Sequence, residues 1–596
     1  MRHAAAGAPH PGASGGRGTS LRRSPRARGA VPPAGRDGGG RRLAHVRLRA
    51  WASAPTGAVG RAARVLGPWG GAAGRGLGGS RGAGYRGEHS RQLSRAATVA
   101  RAVGARPGGR SMRGWFGLVA LAGLGAAPMR AAAPAAPPVP APFHAATPMP
   151  LQEAAESIVG GAEGWGAIAW SLDRDRPLFA IRANDVFVPA SNNKVFSTIW
   201  ALAVLGPTYR FPTDLLRTGP VVDGVLRGDV VLRGSGDPTL GYPFVGHDPL
   251  DDLRPMAVAL RRLGVREVAG SVMADATIFD SLRFGPRWPG DTGNGVSPYA
   301  PRVSGLAFHR NLVRLDLRVA AGRVVVETFP RWPELPVRVE AGVGGGGARA
   351  TRRPDDDTIR VLGGVGRRGL HRYLVGVARP ELLAVAALRQ ALEEAGIAVR
   401  GPLRAGPAPP GAVLVHRHWS APLATMVPFC NRESDNFFAE HLWKATAARV
   451  LGQGSYTRGG VAAAIFFARS AGVPFGQLYQ ADGSGLSAFN HVSPYAILRA
   501  LRFADRAPWG PTFHASLAVG GAREGTLRHL FRQPPARGNL HAKTGYIRGV
   551  RSLSGYVTAR NGERIAFAFL YNGPATSGAR AAQERLGMLL ATYDGR

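Results

Sequence analysis

PASNNKVFSTIWALAVLG, residues 189–206, reads as the head and body of a helix that is apolar nearly all round and stops at Gly206-Pro207. A helix with no polar face has to lie inside a domain, covered on every side. Its first turn nevertheless carries Ser191 and Lys194, and spacing of i, i+3 puts the hydroxyl and the amine on one face within reach of each other. Lysine, with an ordinary pKa of roughly 10.4, is a poor base at neutral pH, but burial and a neighbouring cation both favour the neutral amine. A serine beside such an amine is an activated nucleophile. Taken alone, the tetrapeptide reads better as a Ser cap followed by a solvated Lys.

The lysine count sharpens the reading. Of 76 basic side chains only Lys194, Lys444 and Lys543 are lysine. In a chain that uses arginine almost everywhere a cation will do, a lysine marks a site needing a compact or deprotonatable amine. Lys543 opens Lys543-Thr544-Gly545-Tyr546, just before a strand hairpin, and is expected on a sheet edge. There the cation and the Thr544 hydroxyl can hold a carboxylate, while Gly545 lets a substrate backbone come close; the alternative is a surface lysine before a turn. Ser434-Asp435-Asn436 opens a helical stretch, supplying a hydroxyl to relay protons and an amide to hold a substrate backbone, or serving simply as a helix cap. The Ser-x-x-Lys and Lys-Thr-Gly signals co-occur by chance in on the order of one chain in a thousand.

Outward from these motifs, GWGAIAWSL (164–172) and LFAIR (178–182) read as a hairpin, and RSLSGYVTA (551–559) with RIAFAFLYNG (564–573) as another, followed by a helix over 576–592. Helical patterning fills 421–471. Strands at both ends with helices between give an α+β class, an antiparallel sheet flanked by helices. Residues 213–411 differ in texture, with short strands broken by Gly and Pro and helical pieces at 251–264 and 380–396; they are expected to form inserted β-rich material, with a flexible surface loop at 341–357. The discontinuous domain is then 151–212 plus 412–596.

The formal net charge of +38 would suggest nucleic acid or an anionic membrane, but half of it comes from residues 1–111, which hold 21 Arg and only two acids, Asp37 and Glu88. That Gly/Ala/Pro/Arg stretch cannot bury enough apolar surface to fold and is expected to be a disordered extension from a misassigned start. Arginine runs with little aromatic interleaving bind phosphates weakly, so no nucleic-acid partner is expected. Met112-Arg113, the apolar run Trp115–Ala127 and the small residues Ala131 to Ala133 form a signal-peptide layout at 112–133, with a linker over 134–150. The apolar run is too short for a membrane span, so no transmembrane anchor is expected and the mature chain is expected in the periplasm or secreted. Cys430, the single cysteine, excludes an internal disulfide and Cys-based metal sites.

With its motifs in place, the sequence over about 150–595 resembles the low-molecular-mass class C penicillin-binding proteins, D-alanyl-D-alanine carboxypeptidases and endopeptidases. The likeness rests on PASNNKVFST, SDNFFAEHLWK and HAKTGYIRGVRSLSGYV, with VLRGSGDPTL, YAPRVSGLAFHRN, ADGSGLS and LAVGGAREGTLRHLF in support. The long gap from Ser191 to Ser434 matches that family's large insertion. The resemblance implies a penicillin-binding transpeptidase-like domain with inserted β-rich domains. It implies Ser191 as acyl-forming nucleophile, Lys194 as base, Ser434 as proton shuttle, Asn436 as anchor of substrate and lysine, and Lys543, Thr544 and Gly545 as the carboxylate-binding strand. The N–H groups of Ser191 and Tyr546 would form the oxyanion hole. By the same analogy Asp291 would contact the amino end of a diaminopimelate side chain. Peptidoglycan peptides are the implied substrates, β-lactams the covalent inhibitors, and no cofactor or metal is implied. Other readings are a β-lactamase or esterase on the same scaffold and a non-catalytic peptidoglycan-binding protein. Ser484 in ADGSGLS reads either as a leaving-group contact or as part of a tight turn, Asp237 as a turn residue, and His309, His441, His491 and His541 as structural.

Overall fold

The central sheet is closed by strands from opposite ends of the chain. In this computed structural model, which describes residues 140–144, 149–242, 248–288, 297–300, 302–345, 347–353 and 356–595, strand β1 (Trp165–Ser171) pairs antiparallel with both β2 (Arg176–Ile181) and β6 (Arg564–Asn572). Strands β5 (Val550–Thr558), β4 (His541–Ile547) and the short β3 (Ala518–Val519) complete the order β2-β1-β6-β5-β4-β3. The expected extension at 1–111, the leader at 112–133, most of the linker and Asp291 lie outside the described residues.

Both faces of this sheet are covered, which is why β1 and β6 are apolar along nearly their whole length. The period of two divides β6 cleanly. Ile565, Phe567, Phe569 and Tyr571 enter one core with helices α1 (Gln152–Val159) and α8 (Thr576–Thr592), whereas Ala566, Ala568 and Leu570 enter the other. Small side chains on that second face let a helical layer come close. At its centre lies α2 (Asn193–Val204), ten of whose twelve residues are buried. Around it pack α3 (Leu423–Asn431), α4 (Asn436–Leu451), α5 (Tyr456–Ala471), α6 (Pro494–Arg506) and α7 (Gly510–Ser516), all drawing on the same core. The fully apolar surface read from the sequence therefore has a layer on every side to meet it.

Between α2 and α3 runs the β-rich insertion. The strand leaving the helical layer, Pro212–Arg217, pairs antiparallel with the returning strand, Val413–Trp419, and Asp214 accepts from Arg417 Nε and Nη2 at 2.6 and 3.0 Å, so exit and return are stitched together. A separate core forms around helix Pro380–Glu394 and helix Arg254–Arg262. The tract at 341–357, expected as a surface loop, instead contains strands Gly342–Val343 and Ala348–Thr351, both paired to Ile359–Val365. Backbone hydrogen bonding to a neighbouring strand outweighs the weak propensity of its glycines.

The insertion is tied to the helical layer beside α4. Lys444 Nζ donates to Asp280 Oδ1 and to the Leu282 carbonyl, both at 2.7 Å, and lies 4.4 Å from the centre of the Tyr456 ring. The third lysine of the chain is thus a buried tether.

Candidate active site

Ser191 enters α2 through a single 3-10 turn, Ala190–Asn192. Ala190 takes a left-handed backbone, φ 47°, which turns the chain sharply ahead of the serine. On the next turn Lys194 is fully buried, and its Nζ has three oxygen neighbours: Ser191 Oγ at 3.0 Å, Asn436 Oδ1 at 2.7 Å and the Ser484 carbonyl at 2.7 Å. The Asn436 and Ser484 oxygens can only accept. Three oxygens suit the three hydrogens of an ammonium; once one proton is lost, two hydrogens still reach Asn436 and Ser484 and a lone pair faces the Ser191 hydroxyl. Burial pushes the Lys194 amine down to about 8, against the upward pull of Cys430, Glu440 and Asp482.

Strand β4 supplies the second amine. Lys543, also fully buried, donates to Ser434 Oγ at 2.8 Å and to the Thr544 carbonyl at 2.6 Å. Burial, then the charge of Lys194, holds it well below the ordinary lysine range. Ser434 is free to face Lys543 because it is not the cap of α4. That role falls to Asp435, which accepts from Phe438 N at 3.1 Å and pairs with Arg310 at 2.5 Å, while Ser434 takes φ 60°. Asn436 is fixed from its other end, with Nδ2 donating to the Tyr299 carbonyl at 3.0 Å. Thus Ser191, Lys194 and Asn436 form one bonded group and Ser434 with Lys543 a second.

Gly545 shows how tightly the groups are drawn together. A Cβ there would stand 2.1 Å from Ser552 Oγ and 2.9 Å from both Ser191 N and the Pro189 carbonyl, so only glycine lets β4 lie against Ser191. Tyr546, next along, is exposed and carries the Arg551 guanidinium 4.0 Å over its ring.

Several supporting residues escaped the sequence reading. Asn192 Nδ2 donates to the Lys543 carbonyl at 3.1 Å and to Ser552 Oγ at 2.8 Å, and Asn192 Oδ1 accepts from Ser554 Oγ, joining the helix start to β4 and β5. Its signal was a fully polar residue at the mouth of an apolar helix. Behind Lys194, buried Glu440 accepts from Gly483 N at 3.0 Å and Ser484 N at 2.7 Å, and burial beside Asp482 raises its carboxyl to about 8. Asp482 accepts from Gly485 N, Ser487 N, Asn490 and Trp288 at 2.7 to 2.8 Å. ADGSGLS is therefore a turn, fastened from two sides, that aims the Ser484 carbonyl at the amine. The Ser484 side chain itself is buried.

The remaining residues singled out in the sequence lie apart from the site. Asp237 accepts from Thr239 N and Oγ1 at 2.8 and 2.6 Å within its own turn. Nδ1 of His441 meets the Phe437 carbonyl at 2.8 Å, Nδ1 of His309 meets the Leu312 carbonyl at 2.9 Å, and the His541 ring lies 4.4 Å from that of His514. Among the described residues no group of three or more His, Cys, Asp or Glu side chains is placed to hold a metal.

A serine hydroxyl 3.0 Å from a buried amine of lowered pKa, on a helix head pressed against a lysine-bearing strand, is the arrangement of an acyl-transferring serine hydrolase. The model of the D-Ala-D-Ala carboxypeptidase 3 (S13) family matches residues 153–593, and the chain belongs to that family as a serine-type peptidase. It is 32% identical over 452 residues to a D-alanyl-D-alanine carboxypeptidase of an Actinomadura species, covering 72% of this chain and 81% of that one. To the D-alanyl-D-alanine carboxypeptidase DacB of Haemophilus influenzae it is 25% identical over 435 residues, covering 70% and 88%. The crystal structure of penicillin binding protein 4 from Haemophilus influenzae shares the fold, with a TM-score of 0.63 at 23% identity over 74% of this chain and 99% of that one.

Proposed function

We propose that this D-Ala-D-Ala carboxypeptidase cuts peptidoglycan stem peptides through an acyl-enzyme on Ser191. The proton of the Ser191 hydroxyl passes to the Lys194 lone pair as Oγ attacks the D-Ala carbonyl. The oxyanion is met by the N–H groups of Ser191 and Tyr546, a contact whose loss costs roughly 3 kcal/mol in comparable enzymes. When the tetrahedral adduct collapses, the leaving amine takes a proton through Ser434, and Lys194 gives up the one it gained. Water then repeats the sequence on the ester. Lys543 and Thr544 hold the carboxylate beyond the scissile bond, and Asn436 keeps both substrate backbone and Lys194 in line. Asp291, outside the described residues, is proposed to meet the amino end of a diaminopimelate side chain.

The observation that carries this reading is the buried Lys194 amine 3.0 Å from Ser191 Oγ, with Asn436 Oδ1 and the Ser484 carbonyl engaging its other hydrogens, so that loss of one proton leaves a lone pair beside the serine. A β-lactam presents the same kind of amide, with its leaving amine tethered, so it should acylate the same serine; a related crystal structure from Haemophilus influenzae is described as complexed with a novel β-lactam. The peptidase domain is proposed to comprise 151–212 and 412–596, with 213–411 inserted, and the mature chain to act outside the cytoplasm after removal of 112–133. Among the described residues no helix is long and apolar enough to cross a membrane. The test is release of D-alanine from an N-acylated peptide ending in D-Ala-D-Ala. Wild-type protein should release it and Ser191→Ala should not; equal release by both would overturn the assignment.

A further inference from the structure

The loop between β3 and β4, residues 520–540, carries a concave basin of about 550 Å³ that the reaction above does not use. Arg523, Arg528, Arg532 and Arg537 line it together with His529 and Gln533. All four arginines are exposed, and among the described residues none has a carboxylate within 4.0 Å. Elsewhere the chain pairs its arginines freely, as at Arg254, Arg389, Arg417 and Arg564. The acids nearby are few. Glu524 is in the same loop, Glu433 lies within electrostatic reach of Arg528, and Glu584 is occupied by the Phe531 N–H at 2.9 Å. Arg528 donates to the Gly525 carbonyl at 3.3 Å and to His529 Nε2 at 3.2 Å, but guanidiniums without a carboxylate partner, collected in one concavity, suit an anion with several oxygens.

Its position says which anion. Thr526 N donates to the Arg432 carbonyl at 3.1 Å, so the loop rests on the residues immediately before Ser434. It also feeds directly into β4, where Val519 pairs with His541 two residues ahead of Lys543. On the proposed reaction, Lys543 and Thr544 hold the carboxylate on the leaving-group side, whereas Tyr546 serves the carbonyl under attack. Moving from Tyr546 back through Lys543 to His541 therefore moves away from the acyl half of the substrate, toward the end of β4 that the 520–540 loop enters.

We propose that the arginine basin is a leaving-strand subsite, whose guanidiniums take the carboxylates of a cross-linked stem peptide beyond the one held by Lys543 and Thr544, so that acidic leaving strands are cut faster than neutral ones. The inference rests on the proposed acyl-transfer reading of Ser191. A lone D-alanine is too short to reach past Lys543 and Thr544, while the second strand of a cross-link carries further carboxylates to the arginines.

The experiment compares two synthetic cross-linked peptides that both keep the carboxylate held by Lys543 and Thr544, one with its further leaving-strand carboxylates free and one with those further carboxylates amidated. Both are assayed with the intact protein, with Arg528→Gln/Arg532→Gln and with Arg528→Glu/Arg532→Glu. Exposed ion pairs contribute up to roughly 1 kcal/mol each, so wild type should favour the acidic peptide in kcat/KM by roughly fivefold or more. The Gln pair should bring that ratio near one, the Glu pair should invert it, and added salt should shrink it in wild type. A ratio near one in wild type, or a ratio that both variants retain, overturns the subsite. Failure of the acyl-transfer reading itself would look different, because wild-type protein would then cleave neither peptide and Ser191 would stay unlabelled by penicillin.

Discussion

Raising the pH from 6 to 9 should switch on acylation of Ser191 as Lys194 loses its proton. Burial lowers the Lys194 amine from 10.5 to about 8. At pH 7 a group with that pKa is neutral in roughly one molecule in eleven, whereas an ordinary lysine would be neutral in roughly one in three thousand. The sign follows directly. A lysine with a depressed pKa is protonated and inert as a base below that value and becomes competent above it. The second-order rate constant for acylation by a fluorescent penicillin should therefore climb about tenfold per pH unit well below 8, gain about tenfold from pH 7 to a plateau, and bend near 8. Lys194→Arg keeps the charge but cannot give a free base, and should lose roughly a hundredfold or more with no bend. Stopped-flow fluorescence across this range provides the measurement. A flat profile, or one still rising steeply at pH 9, would refute the claim that the buried amine is the base.

Two further outcomes follow from the packing. Gly545→Ala puts a methyl 2.9 Å from Ser191 N and against Ser552 Oγ, so β4 must retreat from the nucleophile; penicillin acylation should slow by at least about tenfold, read by the same fluorescence, because displacements of roughly 1 Å cost catalysis that much or more. Lys444→Met removes the buried tether to Asp280 and the Leu282 carbonyl, and urea unfolding should show a loss of roughly 2–4 kcal/mol, while the acylation rate of the protein that remains folded stays within about twofold.

The motifs of the candidate site were legible because the chemistry proposed for them fixes their short spacings. Ser191 and Lys194 must share a helix face, and Lys543, Thr544 and Gly545 must share one strand, here the second from the sheet edge, so each group reads as a local pattern. Their supports were not legible, since Asn192 meets Ser552 and Ser554, and Glu440 meets the 483–484 backbone, only once distant segments fold together. Ser434 shows a subtler limit. The sequence offered Ser434, Asp435 and Asn436 together as a cap, but one residue caps the helix while its neighbours face two different lysines, and only the left-handed backbone at Ser434 decides which is which. In the insertion, the shortest strands, such as Val221–Val222 and Gly342–Val343, leave too little periodicity to read, and pairing partners determine where they form, whereas Leu312–Ala320 and Arg323–Phe329 are long enough to show.

The proposed reaction depends on a hydroxyl at 191 made nucleophilic by the folded cleft. Intact-protein mass spectrometry after brief exposure to benzylpenicillin, followed by peptide mapping, tests this directly. One penicilloyl adduct per chain is expected, carried by the peptide containing Ser191 and absent after heat unfolding before exposure. Folded wild-type protein that gains no mass, or that carries the adduct on another residue, would contradict the account.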